Sequence, residues 1–487
     1  MTMLPGPATV CVADTGAGVY PEAPFHPGRA YPEFPRSALA AAPNPVYEGV
    51  REAFRLLGLD AARYGTPDWN PLGAVIRPGQ RVLIKPNLVR HYHPYGLDTD
   101  AIYTHGSVIR AVCDYALRAL EGSGELVIAD APLQSCDFEA VCRLSGVEAL
   151  QAYYRECGTP AEVRDLRLVR AVSESAGWLG RVLVQQENPG DPLGYTHIDL
   201  GAASFHASVP GEGRYRVTCY DPAAMSRHHG QGRHQYIVAN TLLAADVVLN
   251  LPKMKTHHKA GITGAMKNFI GINGHKDCLP HHRKGSAEEG GDEYPRRSAL
   301  KAADSWLLDV KETAAAVAVK KGAAVLHRVL HAAHMRERDN GFWDGSWHGN
   351  ETISRTTADL NHIVYFADKT GRLCREPQRR VFTLIDGIVG GDLDGPLAPS
   401  PRPSGILIAG FSTPAVDAVM ARAMGFRWEA VPALRHVYRE GSPLGDHRPE
   451  EIVIRSNSGR WDGVGVARCG DSLGYRAHRG WKGHIEL

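Results

Sequence analysis

None of the nine cysteines forms a Cys-x-x-Cys pair. That absence argues against a ferredoxin-type iron–sulfur cluster, a zinc ribbon and a disulfide framework together. No Gly-x-Gly-x-x-Gly opens the first strand-to-helix turn and no P-loop occurs, so neither an NAD site of Rossmann type nor an ATP site has support. No strand-to-helix nucleophile elbow is read, and no cysteine stands in an activating context, which disfavours nucleophilic hydrolysis. An excess of one charge is also missing. Against 53 Asp and Glu there are 55 Lys and Arg, a formal charge of +2, so nothing general points to nucleic acid or an anionic membrane as partner. No apolar run is long enough to span a bilayer, the Ala-rich stretch 314–326 being broken by Lys320 and Lys321. The N-terminus has no basic region followed by an apolar one. A cytoplasmic protein acting on a small molecule is the expectation.

What is present is histidine, 23 in all, often as near neighbours: His91/His93, His228/His229/His234, His257/His258 and His281/His282. The chain of 487 residues exceeds what one core usually supports. Apolar runs of strand length alternate with helical periodicity: RVLIKPNLV at 81–89, the helix after His105-Gly106-Ser107 with Ser107 as cap, then ELVIADAP at 125–132. This predicts an α/β fold, mainly parallel sheets flanked by helices, in two closely packed α/β domains. We read an N-terminal part over 1–170, an irregular antiparallel insertion over 171–235 (stretches such as RVLVQ and RYRVTCY), a C-terminal part over 236–425 and an extension over 426–487. Residues 299–338 give the longest helical signal, read as core or packing, with Gly322 as a break point.

The chemistry concentrates between Asn250 and Pro295. The buried-strand pattern VVLNLP at 247–252 delivers Lys253, Lys255, His257, His258 and Lys259, then Gly261-Ile262-Thr263-Gly264, then a helix start with Thr263 as cap and Lys267-Asn268 beyond. Free amides at such a start, among lysines, would make an anion site. Further on, His281, His282 and several carboxylates offer the donors that borderline divalent metals use. Lys85 and Asn87, at the end of their strand, face the crevice where open α/β sheets bind ligands, and Asp386 ends a later strand before a Gly-rich loop. Asp417 falls early in a helix, where its charge suits the dipole.

These motifs, with Trp347-His348-Gly349-Asn350 and Arg355, Asp386-Gly387, Gly395-Pro396 and Pro414-Ala415-Val416-Asp417, match in order over most of residues 80–425. They resemble the domain of unknown function 362 family, in a branch without ferredoxin cysteine motifs. The resemblance implies no particular reaction. The order Lys-Pro-Asn, Asp130, Lys-Thr-His is also similar to the layout of nickel-pincer lactate racemases, which favours proton transfer over hydrolysis; a nickel-pincer cofactor is not expected.

The expected constellation is His257, Lys267 and Lys255 for acid–base chemistry. Lys85, Asn87, Lys253, Thr263, Asn268, Trp347, Asn350 and Arg355 would hold a small anionic or polyhydroxylated substrate. His281, His282, Asp292 and Asp386 would hold a divalent metal. The function expected is an isomerase- or lyase-like enzyme, with a metal-dependent oxidoreductase or a non-catalytic metal or anion carrier as alternatives.

Overall fold

Successive residues of a strand point to opposite faces, and here both faces are covered, so the central strands are mainly apolar. The computed structural model describes residues 4–159, 161–175, 181–209, 213–217, 222–230, 232–314, 317–337, 341–466 and 471–487. Its main sheet has ten strands: β1 Thr9–Asp14, β2 Arg81–Pro86, β3 Glu125–Asp130, β4 Glu162–Asp165, β5 Val247–Leu251, β6 Lys253–His257, β7 Gly261–Thr263, β8 Arg380–Asp394, β9 Ala398–Gly410 and β10 Val453–Ser456. They run in the order β10-β1-β9-β8-β5-β2-β3-β4, with β6 paired to β8 and to β7. The block β8-β5-β2-β3-β4 is parallel, whereas β9 runs antiparallel to both β1 and β8. The fold is therefore α/β with a mostly parallel sheet, as the alternation predicts. Strands of the two expected parts are direct neighbours: β5 pairs with β2, and β1 with β9.

Ile84 and Leu249 face a layer with Phe54 and Val112, from the helices Pro45–Leu56 and Gly106–Leu120. Their chain neighbours Leu83 and Val248 face the other layer, with Leu360 and Ile363 of the helix Thr352–Phe366. The antiparallel excursion is present as Tyr195–Asp199 against Arg233–Ala239, and Val169–Ser175 against Arg181–Glu187. Of RYRVTCY, Tyr215–Arg216 pairs with His282–Arg283, and residues 218–220 lie outside the described residues.

Three local expectations are corrected. The cap of Gly106–Leu120 is His105, whose side chain accepts from Ser107 N, rather than Ser107 itself. The long helical signal divides into Ala299–Thr313 and Val317–His334, with Gly322 inside the second helix. Nor is that second helix core: Val325 and Val329 are 61% and 60% exposed.

Candidate active site

Because β2, β3 and β5 are parallel neighbours, their carboxyl ends share one edge of the sheet, where ligands bind in open α/β folds. A cavity of about 590 Å³ lies there. Asn87 and Arg90 reach it from beyond β2, Gln134 from beyond β3, and His257, His258, Lys259, Thr263, Lys267, Asn268, Lys276 and His281 from the stretch after β5. Asp130 and Asp344 are the carboxylates among its lining residues, and both are already engaged. Asp130 binds Lys85 Nζ at 2.6 Å and the Leu88 amide at 2.7 Å; Asp344 pairs with Lys259 at 2.8 Å.

The remaining cations set the character of the cavity. Lys267 is half-buried, its Nζ makes no hydrogen bond or ion pair among the described residues, and burial, helped by the Lys259 charge, brings its ammonium down to about 7. Burial also brings Lys276 down to about 7, although its Nζ donates to Ile270 O at 2.9 Å. An anion about 4 Å from one ammonium gains about 4 kcal/mol at an effective dielectric of about 20, against about 1 kcal/mol net for a neutral hydrogen bond, so charge decides what enters. Around the cations are polar atoms without a hydrogen-bond partner among the described residues: Asn87 Oδ1, Thr263 Oγ1, Arg90 Nε and both amide atoms of Gln134. Buried groups of this kind are rarely left unpaired, and hydroxyls of a ligand would satisfy them.

Two histidines on the wall have opposite tautomers. His257 Nδ1 accepts from the Lys259 and Ala260 amides at 3.0 and 3.2 Å, which leaves its proton on Nε2. His281 Nδ1 faces Leu279 O at 2.7 Å; a carbonyl only accepts, so here Nδ1 carries the proton and Nε2 the lone pair. Burial, with the neighbouring lysine charges, holds both imidazoles well below their usual range, hence neutral. His257 thus presents an N–H and His281 a base. Of the general-base and general-acid roles expected for His257, this tautomer fits the acid.

Of the other expected residues, Asn87, Thr263, Asn268, Lys267 and His281 line the cavity with His257. Lys255 does not: it is buried, its amine held well below the usual range by burial and by Lys253, and it donates to Ile102 O. Lys85 and Lys253 are neutralised, the latter by Asp386 at 3.0 Å. Asp386 also accepts from Tyr20 at 2.6 Å and the His105 amide at 3.0 Å, so it holds core strands together. Asp292 accepts from the Thr352 amide and hydroxyl at 3.0 and 2.6 Å, fixing the start of Thr352–Phe366. Trp347 Nε1 donates to Asp292 O, and Arg355 to Phe205 O. Asn350 donates to His281 O at 3.0 Å, and so positions the histidine rather than a ligand. His282 is buried beside Glu293 at 3.8 Å, with no hydrogen bond to either ring nitrogen among the described residues.

Nor are the helix-start amides free for an anion. Asp417, from the helix Thr413–Met424, accepts from Ala265 N and Met266 N at 2.6 and 2.9 Å, and it, not Thr263, caps this short helix. His229 and His234 are buried within an aromatic group with His206.

Among the described residues, His281, His282, Asp292 and Asp386 form no metal-ready group; a cluster of Asp304, His331 and His334 does. Sequence reasoning missed it, along with Arg90, Gln134 and Lys276. Applying the strand-end rule to β3 as it was applied to β2 would have reached Gln134. A literal Gly-x-Ser-x-Gly string also escaped notice, Gly470 to Gly474. Its described part has no regular structure, and Ser472 Oγ merely accepts from Gly474 N at 3.3 Å, so it is no nucleophile elbow.

The α/β fold and its strand-end cavity define a class wider than any one family. Within it, a family model described as a domain of unknown function (DUF362) matches residues 194–422, and that region belongs to the family the motifs resemble. No curated protein matches the chain. A crystal structure of a Thermotoga maritima protein is 11% identical, with 77% of this chain and 58% of that chain covered and a TM-score of 0.30, a likeness too slight to carry an argument. Among the described residues no helix is long and apolar enough to cross a membrane.

Proposed function

We propose that the protein is an enzyme that moves a proton on a small anionic, hydroxylated metabolite, with an isomerase- or lyase-like outcome. The observation that carries this reading is the pair of neutral imidazoles of opposite tautomer on one cationic cavity. Lys267 and Lys276 hold the carboxylate or phosphate, whose negative charge raises their affinity for protons and keeps both charged. His281 Nε2 takes a proton from carbon or hydroxyl, and His257 Nε2–H supplies one to the oxygen where charge develops. Asn87, Thr263 and Gln134 orient the ligand's hydroxyl groups.

The test needs no knowledge of the product. Hydroxycarboxylates and sugar phosphates are screened for binding by thermal shift, and those that bind are followed by proton NMR in D2O for exchange of a carbon-bound hydrogen. The expected result is exchange with at least one anionic ligand, binding weakened tenfold or more in Lys267→Met, and exchange lost with binding kept in His281→Gln. Anions binding no better than neutral sugars would overturn the anion site; binding without exchange would overturn proton transfer and leave a carrier.

A further inference from the structure

Away from the cavity, the helix Val317–His334 carries His327, His331 and His334, at spacings of four and three residues that place them on one face. The facing helix Ala299–Thr313 brings Asp304 against them. Asp304 Oδ1 lies 2.6 Å from His327 Nδ1, and its Oδ2 lies 2.8 Å from His334 Nε2 and 3.8 Å from His331 Nδ1. Ligand atoms of Asp304, His331 and His334 are all within 4.8 Å of one another. Asp304 and His334 are wholly buried, whereas the His331 side chain is 41% exposed and gives a route in from solvent.

Two further features point to a missing cation. Among the described residues the buried Asp304 pairs with these histidines, none of them permanently charged. Nδ1 of His331, the atom nearest Asp304 Oδ2, has no hydrogen-bond partner among the described residues. In a tetrahedral site with bonds of about 2.0–2.1 Å, ligand atoms stand about 3.4 Å apart. The separations of 2.8 and 3.8 Å straddle that value, so ligation needs His334 to move away from Asp304 Oδ2 and His331 towards it, each by about half an ångström.

We propose that Asp304, His331 and His334 bind one divalent cation of the borderline, imidazole-preferring class typified by zinc, with His327 or water as fourth ligand. Oxygen-seeking magnesium or calcium does not suit a donor set dominated by nitrogen. None of these residues lines the cavity, so the cation ties the two helices together and takes no part in the proposed proton transfer. Because His334 packs on Trp343, 4.7 Å between ring centroids, the metal also steadies the loop that carries Asp344.

The test uses full-length protein without a polyhistidine tag, stripped with a chelator. It is titrated with Co2+, read by visible absorption, and with Zn2+, read by competition with a chromophoric chelator. The wild type should take up one equivalent, and Zn2+ should raise its thermal midpoint. His331→Ala, at a half-exposed position that leaves the core intact, should lose the equivalent or bind it at least a hundredfold more weakly, and lose the thermal shift; Asp304→Asn should do the same where it folds. His281→Ala should keep the equivalent, which separates this site from the cavity. No uptake by the stripped wild type, or equal uptake by His331→Ala, would overturn the proposal.

Discussion

A lysine that titrates near neutrality is a charge the solution can switch off, and Lys267 and Lys276 are both brought down to about 7. In the free protein each loses its proton as pH rises through that value, while a bound anion holds the proton on. Affinity for an anion of constant charge, such as tartrate, should therefore be flat below pH 7. Above it, affinity should fall by up to about tenfold per pH unit for each lysine that must be charged. Calorimetry between pH 6 and 9 measures this, and Lys267→Met should remove one lysine's share of the slope; a flat wild-type profile would mean neither charge is needed. Residues such as Lys267, His257 and Asn87 were legible in the sequence because the segments that carry them leave strand ends at one sheet edge. Lys85 and Lys253 misled, since the carboxylates that neutralise them, Asp130 and Asp386, lie 45 and 133 residues away on other strands.

At the scale of the element, the short helix Ala265–Asn268 that aims Lys267 is held from outside. Asp417 supplies the carboxylate for its first two amides, and Gly264 makes room, since a Cβ there would meet Asp417 Oδ1 at 2.0 Å. Gly264 has φ −154°, extended backbone that other residues adopt, so Gly264→Ala acts by displacing the carboxylate. The expected loss is about 1–3 kcal/mol of stability, read from the urea midpoint, with weaker anion binding because Lys267 moves. An unchanged midpoint would show that Asp417 relaxes without cost. Caps and breaks were the least legible part of the fold because periodicity finds helices but not the groups that start them: His105 caps its helix although histidine is not a favoured cap, and Asp417 reaches Ala265–Asn268 from another helix. The metal-ready face was legible in principle, from the spacing of His327, His331 and His334, yet the partner Asp304 comes from a separate helix.

Across the whole molecule, the layer packed on one side of the sheet contains two buried carboxyls, Asp359 and Asp417, each pushed up to about 7 by burial. They sit on neighbouring helices, Thr352–Phe366 and Thr413–Met424. A raised carboxyl pKa means that the folded state keeps a proton the unfolded state has released, so stability falls as pH rises from the unfolded value, about 3.9, towards 7. The steepest slope is about 1.4 kcal/mol per pH unit for each group, and above 7 the loss is complete. Carboxylates such as Glu351, held down at about 2 by His436 and its neighbouring arginines despite burial, contribute the opposite slope, so the wild-type curve alone does not isolate the effect. The difference between wild type and Asp417→Asn does. The variant loses part of the cap at every pH, but carries no titrating group there, so the wild type should lose ground relative to it between pH 4 and 7 in urea melts. A difference constant over that range would mean that the two amide donors keep Asp417 ionised in the folded protein, and the helix that presents Lys267 would then rest on a full negative charge.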